Sequence, residues 1–251
     1  AGQAQCIIGN HELNILRQKK KDGNGWLSEE HESFSQKRGW NYPWNRTAKP
    51  DERKRYEEFF ASLPLILERK DLRIVHSYWH PPSIQALEKM TNDNINFGLL
   101  SEELQRDIEV SFPKTTLEEI DSYMQKYDLH KNTDPPPPMS DAVAQYETHL
   151  QNNNPVKMLT SGAEGIMRDR CVRYLSGKNR MVERLPWWEN YTEETPVVCG
   201  HYWRSLNPTP GIVHERLFGG RKPHEWLGIN KNVYCIDFSV GRRYRERKQG
   251  V

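Results

Sequence analysis

Three short stretches of this 251-residue chain place metal-ligating side chains directly after an apolar run. They are Cys6-Ile7-Ile8 before Gly9-Asn10-His11-Glu12, Leu72-Arg73-Ile74-Val75 before His76, and Val197-Val198-Cys199 before Gly200-His201. Runs of this kind read as short buried strands. The residue after such a run stands at the strand's C-terminal end, where layered α/β folds place their ligands. Glycine at 9 and at 200 is expected to allow the sharp turn that presents the next side chain. An Asn oxygen with two neutral imidazole nitrogens suits a first-row divalent ion such as Mn, Fe, Zn or Ni. Asn10, His76 and His201 are therefore candidate metal ligands. A turn after a buried strand would account for Asn10-His11 alone, but not for three segments of one form.

These segments carry a resemblance. Gly9-Asn10-His11-Glu12 resembles the GNHE signature of the calcineurin-like metallophosphoesterases. Val75-His76 is similar to the family's metal-binding His after a strand, and Gly200-His201 to its later Gly-His ligand motif. Leu63-Pro64-Leu65 resembles the matching stretch of serine/threonine phosphatases and bacterial diadenosine tetraphosphatases, and Cys235-Ile236-Asp237 their late strand and Asp. The matches run in family order from about residue 5 to residue 240.

The resemblance implies an α/β metallophosphoesterase-type sandwich of two mixed sheets flanked by helices. It also implies a hydrolase acting on a phosphate monoester or phosphoanhydride, with phosphoproteins and dinucleoside polyphosphates both open as substrates. Two divalent ions would lower the pKa of a water and stabilise the attacking and leaving oxygens. Asn10, His76 and His201 would hold one ion. His11 would lie close to the phosphate and serve the leaving oxygen, with Glu12 or another acid orienting its imidazole. Arg184 and Arg204 are candidate phosphate clamps, since a guanidinium matches phosphate with a bidentate fork. His80 is a further substrate-binding candidate. The family's other ligands come from DxH and GDxxDR motifs that precede GNHE, and only nine residues precede Asn10. Asp128-Leu129-His130 sits in a polar stretch after a helix and reads as a solvated helix end; Met167-Arg168-Asp169-Arg170 lacks the leading Gly-Asp. At most one metal site is thus expected to be complete, in a chain lacking the N-terminal strands. The competing reading is a catalytically incomplete chain with a binding or structural role.

The elements that must position these residues can be read from periodicity. A helix is expected over 51–62 with Asp51 as cap, then a hairpin of 65–67 and 72–75 joined by Glu68-Arg69-Lys70-Asp71. A helix over 82–90 follows, and helices at 101–109, 115–127 and 140–150 suggest an insertion or lid at about 91–151 within a single domain over 1–251. Pro135-Pro136-Pro137-Pro138 is a stiff connector inside it. Strands are expected at 6–8, 156–159, 197–199 and 233–238, and a polar, loop-rich stretch at 14–39 contains the turn cluster Asp22-Gly23-Asn24-Gly25. The aromatic cluster Trp187, Trp188, Tyr191, Tyr202 and Trp203 either walls a substrate groove or packs the core.

Composition limits the alternatives. With 36 Lys+Arg against 34 Asp+Glu, no global charge steers the chain to nucleic acid or a membrane surface. A basic tail at 242–251 and scattered aromatics are what would favour RNA, and nucleic acid is not an expected partner. No apolar stretch is long enough to span a bilayer, and the first residues, Ala1-Gly2-Gln3-Ala4-Gln5, do not resemble a secretory signal. Four widely spaced cysteines without CxxC pairs suggest a reduced, cytoplasmic protein.

Overall fold

A computed structural model describes residues 4–19, 23–27, 46–90, 95–175, 177–206, 216–239, 243–244 and 247. The rest of the basic tail, Asp22 of the turn cluster, and His31 and His214 lie outside the described residues. The first element is a helix, α1 (Asn10–Leu16), where the sequence suggested a turn followed by loop. Its start is explained locally: the Glu12 carboxylate reaches back to accept from the Gly9 backbone N–H at 3.0 Å, closing the first turn. Residues 6–8 form no strand. Ile8 is fully buried but makes a lone ladder-like bond, its N–H donating to the Pro64 carbonyl at 2.9 Å.

Helix α2 (Pro50–Ala61) begins one residue before the expected cap. Pro50 takes the first helical position, where its missing N–H is harmless, and Glu52 accepts from the Lys49 backbone at 2.9 Å. The hairpin forms as expected from β1 (Ile66–Arg69) and β2 (Leu72–Val75). Helices α3 (Pro81–Met90), α4 (Phe97–Val110), α5 (Lys114–Lys126) and α6 (Asp141–Asn152) follow. The run at 156–159, expected as a strand, is inside helix α7 (Pro155–Ser161). Asn154 caps it by accepting from the Lys157 N–H at 3.1 Å, and Pro155 sets the first turn. That Asn-Pro start signal outweighs the apolar run.

Two antiparallel ribbons come next. In one, β3 (Glu164–Ile166) pairs with β6 (Val182–Arg184); in the other, β4 (Arg173–Leu175) pairs with β5 (Lys178–Arg180). Finally β7 (Val197–Cys199) and β8 (Val233–Cys235) complete a four-stranded sheet of order β1-β2-β7-β8. The β1–β2 pair is antiparallel, and β2, β7 and β8 run parallel. The architecture is α/β. Among the described residues it contains this one mixed sheet and the two ribbons, rather than two mixed sheets.

The main core lies between the sheet and the helices and is filled by Ile8, Leu13, Val75, Val197, Trp188, Tyr202 and Val233. A smaller core, with Ile120, Leu129, Val143 and Met181 at its centre, joins α5 and α6 to the ribbons. The stretch expected as a lid is therefore divided. Leu100 and Leu104 of α4 pack on the main core, and α4 is tied to α1 by Arg17, which donates to Glu102 and to Gln105.

Beside that tie, the Lys157 ammonium donates to Gln105 at 2.6 Å. Burial, with Arg17's charge adding to it, pushes its pKa down to about 8. The folded chain thus holds fewer protons than the unfolded one between that value and the ordinary Lys range, so stability from this group rises with pH there. Thermal melts of the wild type should gain on those of Lys157→Met as pH rises from about 8 toward 10, an interval of about two pH units. An unchanged difference across that interval would contradict the buried ammonium.

Candidate metal centre

The parallel strands β2, β7 and β8 end on the same edge of the sheet, and each delivers a polar residue there. His76 follows β2, Gly200-His201 follows β7, and Asp237 stands two residues past β8. The Gly200 N–H donates to the His76 carbonyl at 2.9 Å, which extends the ladder and holds the two strand ends together. The left-handed turn falls on His201 itself, at φ 62°, and not on Gly200. A non-glycine residue held there is strained by ~1–3 kcal/mol, a feature concentrated at functional sites.

Asn10 reaches the same place from the first position of α1. Its Oδ1 lies 3.1 Å from His76 Nε2, and the His76 and His201 rings are 5.5 Å apart, centroid to centroid. Asn10 thus lies against His76, and His76 against His201. Burial first, then the charges of His11 and Arg184, push the His76 pKa down to about 4, so the ring is neutral at neutral pH and keeps a lone pair. The Asn10 Oδ1–His76 Nε2 separation of 3.1 Å is that of a hydrogen bond, and it is also close to the ~3 Å between two donors held about 2.1 Å from one ion at right angles. Among the described residues, no group of three or more His, Cys, Asp or Glu could hold a metal. The cluster owes its third donor to the Asn side chain.

Gly9 makes this approach possible. Its backbone is extended (φ −105°, ψ 177°), a conformation any residue adopts, so torsion does not explain the glycine. A Cβ there would lie 2.8 Å from His76 Cε1 and Nδ1 and equally close to the Glu12 carboxylate. Gly9→Ala should therefore push His76 away from Asn10 and cost ~1–3 kcal/mol by overpacking. Chemical denaturation would measure it; wild-type stability would show that the close approach is easily relaxed.

The remaining candidates divide. Arg184, on β6, donates from Nη1 to the His201 carbonyl at 3.0 Å and so joins the cluster. Across the ribbon it is the direct partner of Glu164, whose carboxyl burial pushes upward. Arg204 does not join it. Its Nη2 donates to the Lys222 and Glu225 carbonyls at 2.6 and 3.0 Å, and its guanidinium lies among Phe218, Tyr234 and Phe238. It fastens the loop before β8. His80 Nδ1 pairs with Ser83 Oγ at 2.7 Å at the start of α3, beside the Tyr78 ring. Glu12, expected to orient His11, caps α1 instead.

His11 is oriented by a residue that sequence reading placed only in a turn. Its Nδ1 lies 2.8 Å from Asn24 Oδ1, while Asn24 Nδ2 donates to the His11 carbonyl at 2.7 Å. The only local signal was the Gly/Asn turn composition, which does not reveal contact across thirteen positions. The Asp128-Leu129-His130 segment is a turn, with the Asp128 carboxylate accepting from the His130 N–H at 2.9 Å and Leu129 in the smaller core. Of the aromatic cluster, Trp187, Trp188, Tyr191 and Tyr202 are buried in the main core, and Trp203 is half exposed. Tyr78, Trp79, Trp187 and Tyr191 also line a cleft of about 190 Å³.

Comparison of the chain with protein-family models, with curated proteins and with solved structures finds no match in any of the three. No described helix is long and apolar enough to cross a membrane.

Proposed function

We propose that the chain is a metal-dependent phosphoesterase, with its four-stranded sheet belonging to a metallophosphoesterase-type sandwich. The observation that carries this reading is the meeting of Asn10, His76 and His201 at one sheet edge, with Asn10 Oδ1 3.1 Å from His76 Nε2. Three segments far apart in sequence, chosen for their ligand types, come together only there. Asn10, His76 and His201 would hold one divalent ion, Mn, Fe, Zn or Ni; a second ion's ligands are not among the residues the resemblance identifies. Such ions supply Lewis acidity toward a phosphoryl oxygen and an activated water.

The chain's own residues do the rest. Arg184, tied to the His201 backbone, has further N–H groups to draw a phosphate's negative charge. His11 holds or delivers a proton beside the leaving oxygen. Phosphate monoesters and phosphoanhydrides are both compatible with this arrangement. A reducing, cytoplasmic setting belongs to the same proposal and is supported by four cysteines that are all free thiols.

The test is hydrolysis of p-nitrophenyl phosphate and of a dinucleoside polyphosphate by the full chain with added Mn²⁺. Slow but Mn²⁺-dependent turnover that disappears in His201→Ala is expected. Absence of metal-dependent turnover on both substrates would favour the binding or structural role instead.

A further inference from the structure

We infer that Asn24 is a positioning residue for His11, holding its imidazole as the Nδ1–H tautomer so that Nε2 is the nitrogen that takes and gives the proton. The catalytic part of this inference rests on the proposed phosphoesterase reading; the tautomer does not. The argument begins with a carbonyl. The His11 backbone oxygen can only accept, and the Asn24 side-chain group 2.7 Å from it must therefore be the amide N–H₂. That fixes the amide's other end: the atom 2.8 Å from His11 Nδ1 is Oδ1, an acceptor. Facing an acceptor, Nδ1 must carry a hydrogen. In the neutral ring the lone pair is then on Nε2, which makes no hydrogen bond among the described residues.

The arrangement has a chemical consequence. The Nδ1–H···Oδ1 bond engages one ring nitrogen and leaves Nε2 unengaged by the anchor. A carboxylate on Nδ1 would add a full negative charge beside the imidazolium; the neutral amide orients the ring without adding it. The two-point contact also ties 23–27 onto α1, so ring orientation and loop position are set together. Glu12 accepts from the Gly9 N–H through Oε2, and it is Asn24 that contacts His11 Nδ1.

The first measurement is a long-range ¹H–¹⁵N spectrum of the full, metal-free chain above the ordinary His titration range, with His11 assigned from the spectrum of His11→Ala. The wild-type ring should show a protonated Nδ1 and a bare Nε2. Asn24→Asp keeps the acceptor but loses the N–H donated to the carbonyl, and should keep the tautomer. Asn24→Ala should lose it. A wild-type ring protonated on Nε2 overturns the inference, and so does an Asn24→Ala ring that stays protonated on Nδ1. If Asn24→Ala fails to fold, the wild-type and Asn24→Asp spectra still decide. In Mn²⁺-dependent hydrolysis of p-nitrophenyl phosphate, Asn24→Ala should lower kcat about tenfold or more with little change in KM, and Asn24→Asp should recover much of it. A wild-type kcat in Asn24→Ala overturns the positioning role. Absence of turnover in the wild type counts against the phosphoesterase reading, while the tautomer stands or falls on the spectrum.

Discussion

His11→Ala should lower kcat for phosphate-ester hydrolysis by ~10²–10⁴-fold and leave KM nearly unchanged, the range over which positioned acid–base groups contribute. A group that acts on the leaving oxygen mainly in the transition state affects the chemical step and not ground-state binding. His11 stands one residue past Asn10 on α1, anchored through Nδ1 to Asn24, so its removal deletes one proton-transferring group and leaves the other three side chains in place. Steady-state kinetics at saturating Mn²⁺, with bound metal measured in the same samples, would check this. Loss of metal with an unchanged rate per bound ion would reverse the assignment and make His11 a ligand.

His76→Ala should fail in the opposite way. The wild-type chain is expected to bind one equivalent of Mn²⁺ weakly, as three neutral donors leave the ion's charge uncompensated. Removing the central donor should lower affinity by more than the ~10–100-fold typical of deleting an outer-shell partner. Activity should partly return at high Mn²⁺. His76 packs against Gly9 and Asn10 on one side and His201 on the other, so the variant also leaves a gap in the strand-end cluster. Calorimetric titration with Mn²⁺, beside a thermal melt of the metal-free chain, separates lost coordination from lost packing. Wild-type Mn²⁺ affinity in a folded His76→Ala chain would remove the proposed centre.

The legibility of the site depended on which residues carry a local signal. His76 and His201 were identifiable because each follows an apolar run, directly or after a glycine, and the C-terminal ends of neighbouring parallel strands must be close; Asn10 carries the same local pattern but opens helix α1. The hairpin at 66–75 and the helices from 81 to 152 were readable for the same reason: periodicity and turn composition are local properties. At 156–159, Val-Lys-Met-Leu fits either element, and the cap Asn154 with Pro155 decides for the helix. Residues 6–8 carry strand-like composition, yet among the described residues they make one backbone bond, to Pro64, and have no partner strand.

Residue type and short-range periodicity are local, and they suffice to name the side chains capable of ligation and to set them at element ends. Tertiary structure decided their partners. Glu12 and Arg204 have the right chemistry for the site, but the nearest unsatisfied backbone groups claimed them: the Gly9 N–H for the carboxylate, the Lys222 and Glu225 carbonyls for the guanidinium. Asn24, with no motif around it, acquired a role because the fold sets its amide against both Nδ1 and the carbonyl of His11. Hydrogen-bond partners are chosen by distance and by the need to satisfy polar groups withdrawn from water, and both exist only once the chain has folded.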